Sequence, residues 1–187
     1  MNYVSGFLVT QEPVQIGNTL YFGVETNAWP IGEQFVSEQA SEICEKAYAD
    51  LSFPLLIDFL SAKQYCIECE NQGVVPRLLY CEATVNTSVI YNHDCHDALV
   101  LTFLGYDYAY PSGSYYSAVA NDVLNPRGCL FSRWKKQLNQ YGLMSSMEQI
   151  DGFKNDRLLS QRDLSDRISI EHGNFVTFRI FAVNNWQ

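Results

Sequence analysis

Residues 175–183, FVTFRIFAV, constrain the fold of this 187-residue chain more than any other segment. Phe175, Thr177, Arg179 and Phe181 alternate with Val176, Phe178, Ile180 and Ala182, the period of a β-strand. Both sets are largely apolar. Such a strand is expected in the middle of a sheet, because an exposed face would leave one apolar set in water. His172-Gly173-Asn174 is a turn signal, and residues 168–170 read as the first arm of a closing hairpin.

The remaining elements follow from the same periodicities. Residues 3–10 and 19–25 read as strands joined by a loop, residues 11–18, that contains Pro13 and Gly17. Over residues 33–51, Phe35, Val36, Ala40, Ile43, Ala47 and Leu51 recur at three- and four-residue steps, an amphipathic helix carrying Glu38, Glu42 and Glu45 on its outer face. Pro54 suits the first turn of a second helix running to about Glu70, with Gly73 as its stop. Residues 75–85 read as a strand and 86–97 as a polar loop. Phe131, Trp134, Leu138 and Tyr141 predict a short helix ending at Gly142, and residues 145–159 predict another through Met147, Ile150, Phe153 and Leu158. This order implies one α+β domain over residues 1–187, a mainly antiparallel sheet with helices packed against it, with residues 125–187 as a possible minor lobe.

Residues 98–124 carry the most suggestive local chemistry. An apolar run, residues 98–104, reads as a buried strand and delivers Tyr106-Asp107-Tyr108-Ala109-Tyr110-Pro111-Ser112-Gly113, which reads as a turn. A helix is expected from Ser114, whose hydroxyl would cap the amide of Ser117. Polar aromatics in a loop at a helix start are expected to form a binding edge. Strand alternation would turn Tyr106 or Tyr108 inward, leaving Asp107, Tyr110, Tyr115 and Tyr116 to face a partner.

Charge bears on what that partner is. The net charge is −9, with 3 basic against 15 acidic residues before residue 125 and 9 against 6 from there on. An acidic chain is a poor ligand for phosphate backbones, so direct nucleic-acid binding is not expected. It suits a basic protein, which its field attracts. The 12 tyrosines supply contact area with a hydrogen-bonding tip. No leader-like N-terminus and no apolar run of membrane-span length is apparent, so a cytoplasmic location without membrane association is expected.

Reactive constellations are weak. Cys66-Ile67-Glu68-Cys69, with Cys81, His93, Cys95 and His96 downstream, lacks a regular second half for a zinc site. The six cysteines read as free thiols of a reducing compartment, and neither metal nor cofactor is expected. Cys95 with His172, or Ser112, Ser114 and Ser117, offer nucleophiles without a motif frame such as G-x-S-x-G. Arg133, Lys135 and Lys136 around Trp134 read as a solvated helix face.

The segments Gly105-Tyr106-Asp107-Tyr108-Ala109-Tyr110-Pro111 and Tyr115-Tyr116-Ser117-Ala118 resemble small bacterial proteins, some of them immunity proteins of polymorphic-toxin and contact-dependent growth inhibition systems. The resemblance covers some 25 residues and implies a non-enzymatic cytosolic inhibitor of one toxin domain, often a basic nuclease. On that reading Asp107, Tyr110, Tyr115, Tyr116, Glu38, Glu42 and Glu45 bind the toxin. The alternatives are a small enzyme with a site near Asp107 and Ser114, or an accessory structural protein of phage origin.

Overall fold

The computed structural model describes residues 2–11, 14–16, 19–21, 55–56, 58–85, 99–110, 116–123, 128, 130–160 and 175–187. The expected helix at 33–51, the loop at 86–97 and the strand at 168–170 lie outside them. The described elements are strands β1 (Asn2–Gln11), β2 (Val14–Ile16) and β3 (Thr19–Tyr21), helix α1 (Phe59–Asn71), strands β4 (Pro76–Val85), β5 (Leu101–Tyr110) and β6 (Tyr116–Ser117), helices α2 (Ala118–Val123), α3 (Phe131–Trp134) and α4 (Met147–Ser160), and strand β7 (Val176–Val183).

The main sheet is antiparallel throughout, in the order β1-β4-β7-β5-β6, with four long strands and a two-residue β6. This is the α+β class expected from the sequence, in one domain. β7 lies in the interior of the sheet, as its two apolar faces require. Its neighbours are β4 and β5, so the latest strand in the sequence ties together two earlier ones. Among the described residues, β2 and β3 pair only with each other. The segment read as a loop between the first two strands thus contributes half of a small separate hairpin.

Each face of the sheet has its own core. On one, Phe7, Val9, Leu78, Tyr80 and Val183 meet Ala62, Tyr65, Cys66 and Cys69 of α1. Those helix positions are spaced i, i+3, i+4 and i+7, which puts them on one stripe. Asp58 caps α1 by accepting from the Ser61 amide at 2.8 Å. Gly73, at φ +77°, stops it, its amide donating to the Glu70 carbonyl at 2.9 Å. The start differs from expectation: Leu56 is extended and exchanges two 2.8 Å backbone hydrogen bonds with Phe7. Gly6 permits this approach, since a Cβ there would stand 2.6 Å from the Leu55 Cβ.

The opposite face buries Leu8, Leu79, Cys81, Leu104, Ala109, Phe178 and Ile180. A third cluster lies at the β5 end, where Tyr108 packs with Val119 and Val123 of α2, Trp134 of α3, Met144, and Ile150 and Phe153 of α4. Ser146 opens α4 by accepting from the Gln149 amide at 3.2 Å, while the Gln149 side chain accepts from the Ser145 amide at 2.7 Å. The buried positions of α4 are Ile150, Phe153 and Arg157, whereas Met147 and Leu159 are exposed. The expected stripe therefore rotates, and a cation takes its last apolar place. The helix expected through Tyr141 is shorter: α3 passes into a single 3-10 turn, Lys135–Gln137, and the chain then turns at Asn139.

β5 corrects the reading of a turn from residue 106, because the strand continues to Tyr110, while the rest of that expected turn, residues 111–113, lies outside the described residues. The disguise comes from Gly105, where the pairing with β7 slips between Phe103 and Gly105. Gly105 has φ +149°, and a Cβ there would lie 2.7 Å from the Met144 carbonyl oxygen and 2.8 Å from the Leu143 Cβ. That crowding reflects a clasp, residues 139–144, laid along β5. Tyr106 and Met144 exchange backbone hydrogen bonds of 2.8 and 3.0 Å. Asn139 donates to the Leu104 carbonyl at 2.7 Å and accepts from the Tyr141 and Leu143 amides at 2.9 and 3.2 Å.

Candidate functional site

On the α1 face, register places side chains in rows across the strands. One row runs Phe7, Tyr80, Phe181, Phe103, and the next holds Glu82, Arg179 and Tyr106. Ring contacts connect them: Phe59 to Phe7 at 5.8 Å, Phe7 to Tyr80 at 5.5 Å, Tyr80 to Phe181 at 6.2 Å, Phe181 to Phe103 at 5.4 Å and Phe103 to Tyr106 at 5.2 Å. The ladder begins in the core and ends in solvent, with Phe7 1% and Phe103 43% exposed. Among the described residues, α1 covers its inner end and the α2–α4 group covers the Tyr108 end, and no described helix packs on the strip between them.

Arg179 sits on this strip. One of its nitrogens lies 2.6 Å from the Glu82 carboxylate, and its guanidinium carbon stands 5.2 Å above the Phe181 ring. The Arg179 side chain is 55% exposed, while that of Glu82 is 10% exposed. A charged residue in the middle of a central strand is unusual, because a covered strand has no water for it. Here the exposure of the Arg179 side chain supplies the water. The sequence did carry a signal: Arg179 interrupts an otherwise apolar alternation. What it did not carry is which part of the sheet the helices leave bare.

The residues singled out from the sequence fall elsewhere. Asp107, expected to face a partner, is completely buried. Its carboxylate accepts from the Ser117 hydroxyl at 2.7 Å and from the Tyr108 amide at 2.8 Å. Ser117 in turn accepts from the Ala120 amide at 3.0 Å, capping α2. The cap is therefore Ser117 rather than Ser114, which lies outside the described residues, and Asp107 is the pin that fixes β5, β6 and α2 together. The physical reason is the bulge at Gly105, which carries the strand past the expected turn and keeps Asp107 under the sheet's apolar cover. Of the pair Tyr106 and Tyr108, it is Tyr108 that is fully inward, and Tyr106 is half-buried. Tyr110 and Tyr116 are register partners in the backbone ladder of β5 and β6. Tyr115, Glu38, Glu42 and Glu45 lie outside the described residues.

A second polar cluster is built into the third core. Arg157, 4% exposed, pairs with Asp122 and lies with its guanidinium carbon 4.4 Å from the Phe175 ring centroid, while Phe175 stacks on Tyr108 at 5.2 Å. Burial pushes the Tyr108 phenol up from its ordinary pKa, and the nearby Arg157 charge partly offsets this. Around α3, Arg133 pairs with Asp156 at 2.9 Å and Lys135 lies over Phe131, so this basic cluster is a solvated surface.

The described thiols do not converge. Cys66 and Cys69 belong to the α1 core and Cys81 to the opposite face, on either side of β4. They therefore cannot share a tetrahedral ion, and among the described residues no group of three or more His, Cys, Asp or Glu is placed to hold a metal. Burial pushes the Cys66 thiol up, with the neighbouring Cys69 and Glu70 adding to it. Burial does the same to Cys81, with a further contribution from the Asp107 charge. Such thiols are poor nucleophiles. His93, Cys95 and His96 lie outside the described residues.

No protein-family model matches the chain, and neither the curated proteins nor the solved structures searched contain a match. No helix among the described residues is long and apolar enough to cross a membrane.

Proposed function

We propose that this chain is a cytoplasmic, non-enzymatic immunity protein that binds and neutralises one basic toxin domain, with the strip of Phe103, Tyr106, Arg179 and Phe181 as its anchoring surface. The observation that carries this reading is the strip itself: an exposed phenylalanine and arginine flanked by half-buried rings, supported from below by core contacts, on a central sheet face. Tyrosine, arginine and large aromatics dominate binding energy at protein interfaces, because they remove much area from water while losing little conformational freedom. The net charge of −9 supports the choice of a basic partner, since opposite net charge speeds encounter. Asp107 drops out as an anchor, being buried and committed to Ser117 and Tyr108.

If the neighbouring gene encodes a toxin domain, co-expression of this chain with it is expected to rescue growth, and the purified pair is expected to associate more slowly as salt rises. Exposed charges are screened beyond ~8 Å at physiological ionic strength, so a salt-independent association rate rejects electrostatic steering. Absence of both binding and rescue rejects the immunity reading.

A further inference from the structure

Arg179 is held as a recognition group is held. Its supports come from two adjacent central strands: the Glu82 carboxylate on β4, at 2.6 Å, and the Phe181 ring on its own strand, at 5.2 Å. The register pair Glu82 and Arg179 fixes both in one row. A long side chain that is already oriented loses little further freedom when it meets a ligand. Because the side chain is 55% exposed, donors not engaged by Glu82 reach solvent. Around it stand Phe103, 43% exposed, and the half-buried Tyr106 and Phe181.

The chemical complement of a planar cationic fork in an aromatic frame is a carboxylate on an apolar stem. The fork matches the two carboxylate oxygens, and the frame takes the stem out of water. We infer that the strip receives an acidic side chain of a protein partner together with its apolar neighbour, with Arg179 taking the carboxylate and Phe103, Tyr106 and Phe181 the apolar part. This rests on the strip being the docking surface, and not on the partner being a toxin. It also sharpens selectivity. The acidic chain attracts basic partners from a distance, but at contact the exposed Arg179 donors offer a lysine or arginine no acceptor. Only a partner carrying a carboxylate at that point seats fully.

Small probes test this without a known partner. The full chain is titrated with 3-phenylpropionate, with 3-phenylpropionamide, with acetate and with inorganic phosphate, reading the Arg179 Nε–H signal and the ring protons of Phe103 and Tyr106 by NMR. The expected result is a saturable response to 3-phenylpropionate at all three residues, with at least about tenfold weaker binding of the amide, acetate and phosphate. Arg179→Gln should abolish the preference for carboxylate over amide. Phe103→Ser, which leaves the Arg179–Glu82 pair in place, should weaken 3-phenylpropionate about tenfold while leaving acetate unchanged. No response, an equal response to the amide, or a stronger response to phosphate overturns the inference. A chain that binds the probe but rescues no toxin keeps this inference and loses the immunity reading. A toxin complex indifferent to Arg179→Gln does the reverse.

Discussion

At the scale of single residues, Asp107 and Gly105 fix the β5 region, and both make stability predictions. Asp107→Ala leaves the Ser117 hydroxyl and the Tyr108 amide without their buried acceptor. Unfulfilled buried donors cost about 1–3 kcal/mol each, so a loss of roughly 2–4 kcal/mol is expected in chemical denaturation, with a lowered melting temperature. An unchanged denaturation midpoint would remove Asp107 from its role as a pin. Gly105→Ala meets both a φ of +149° and the Met144 carbonyl at 2.7 Å. A loss of about 2–3 kcal/mol is expected from the combined strain and overpacking, read from the same denaturation curves. Asp107 was legible in the sequence as special, but for the wrong reason. A carboxylate between tyrosines looks like a surface, and only the strand continuing through Gly105 shows that it is interior.

Among elements, the clasp at residues 139–144 holds β5 from outside the main hydrogen-bond ladder. Asn139→Ala removes the acceptor of two amides and the donor to the Leu104 carbonyl. Amide exchange at Tyr106 and Met144 should accelerate by tenfold or more, corresponding to about 1.4 kcal/mol of local opening, while α1 amides keep their protection. Uniform acceleration across the molecule would mean that the clasp is part of the global core instead. How legible an element was depended on whether its signal was local. α1 ends where Gly73 says it does, β4 follows its apolar run, and the central position of β7 follows from its two apolar faces. The start of α1 was misplaced because Leu56 answers to a partner 49 positions earlier, Phe7, and not to Pro54. In α4, Arg157 occupies a core position because Asp122 and Phe175 receive it, and neither is a sequence neighbour. The aromatic strip was invisible for the same reason: it is defined by where α1 and α2–α4 stop.

For the molecule as a whole, several buried acids share one response to pH. Cys66 and Cys81 are pushed above the ordinary thiol value of 9.0, and Tyr80 and Tyr108 above the ordinary phenol value of 10.0, chiefly by burial. In each case the unfolded chain releases its proton first. The stability these groups contribute is thus fully present below about pH 9 and declines as pH rises beyond it, by up to ~1.4 kcal/mol per pH unit for each titrating group. The urea midpoint should fall between about pH 8 and pH 10.5, and a flat midpoint would show these groups to be solvated. The interior position of β7 has a consequence in time as well as in space. Until residues 176–183 are in place, β4 and β5 have no shared neighbour, and the edges that β7 will occupy have no cover from it. A sheet whose middle strand is made late relies on distant contacts, so folding is expected to be slow for its size, in milliseconds to seconds. A nascent chain halted before β7 would present two sticky edges at once, which makes it a natural client for chaperones that shield unpaired strands.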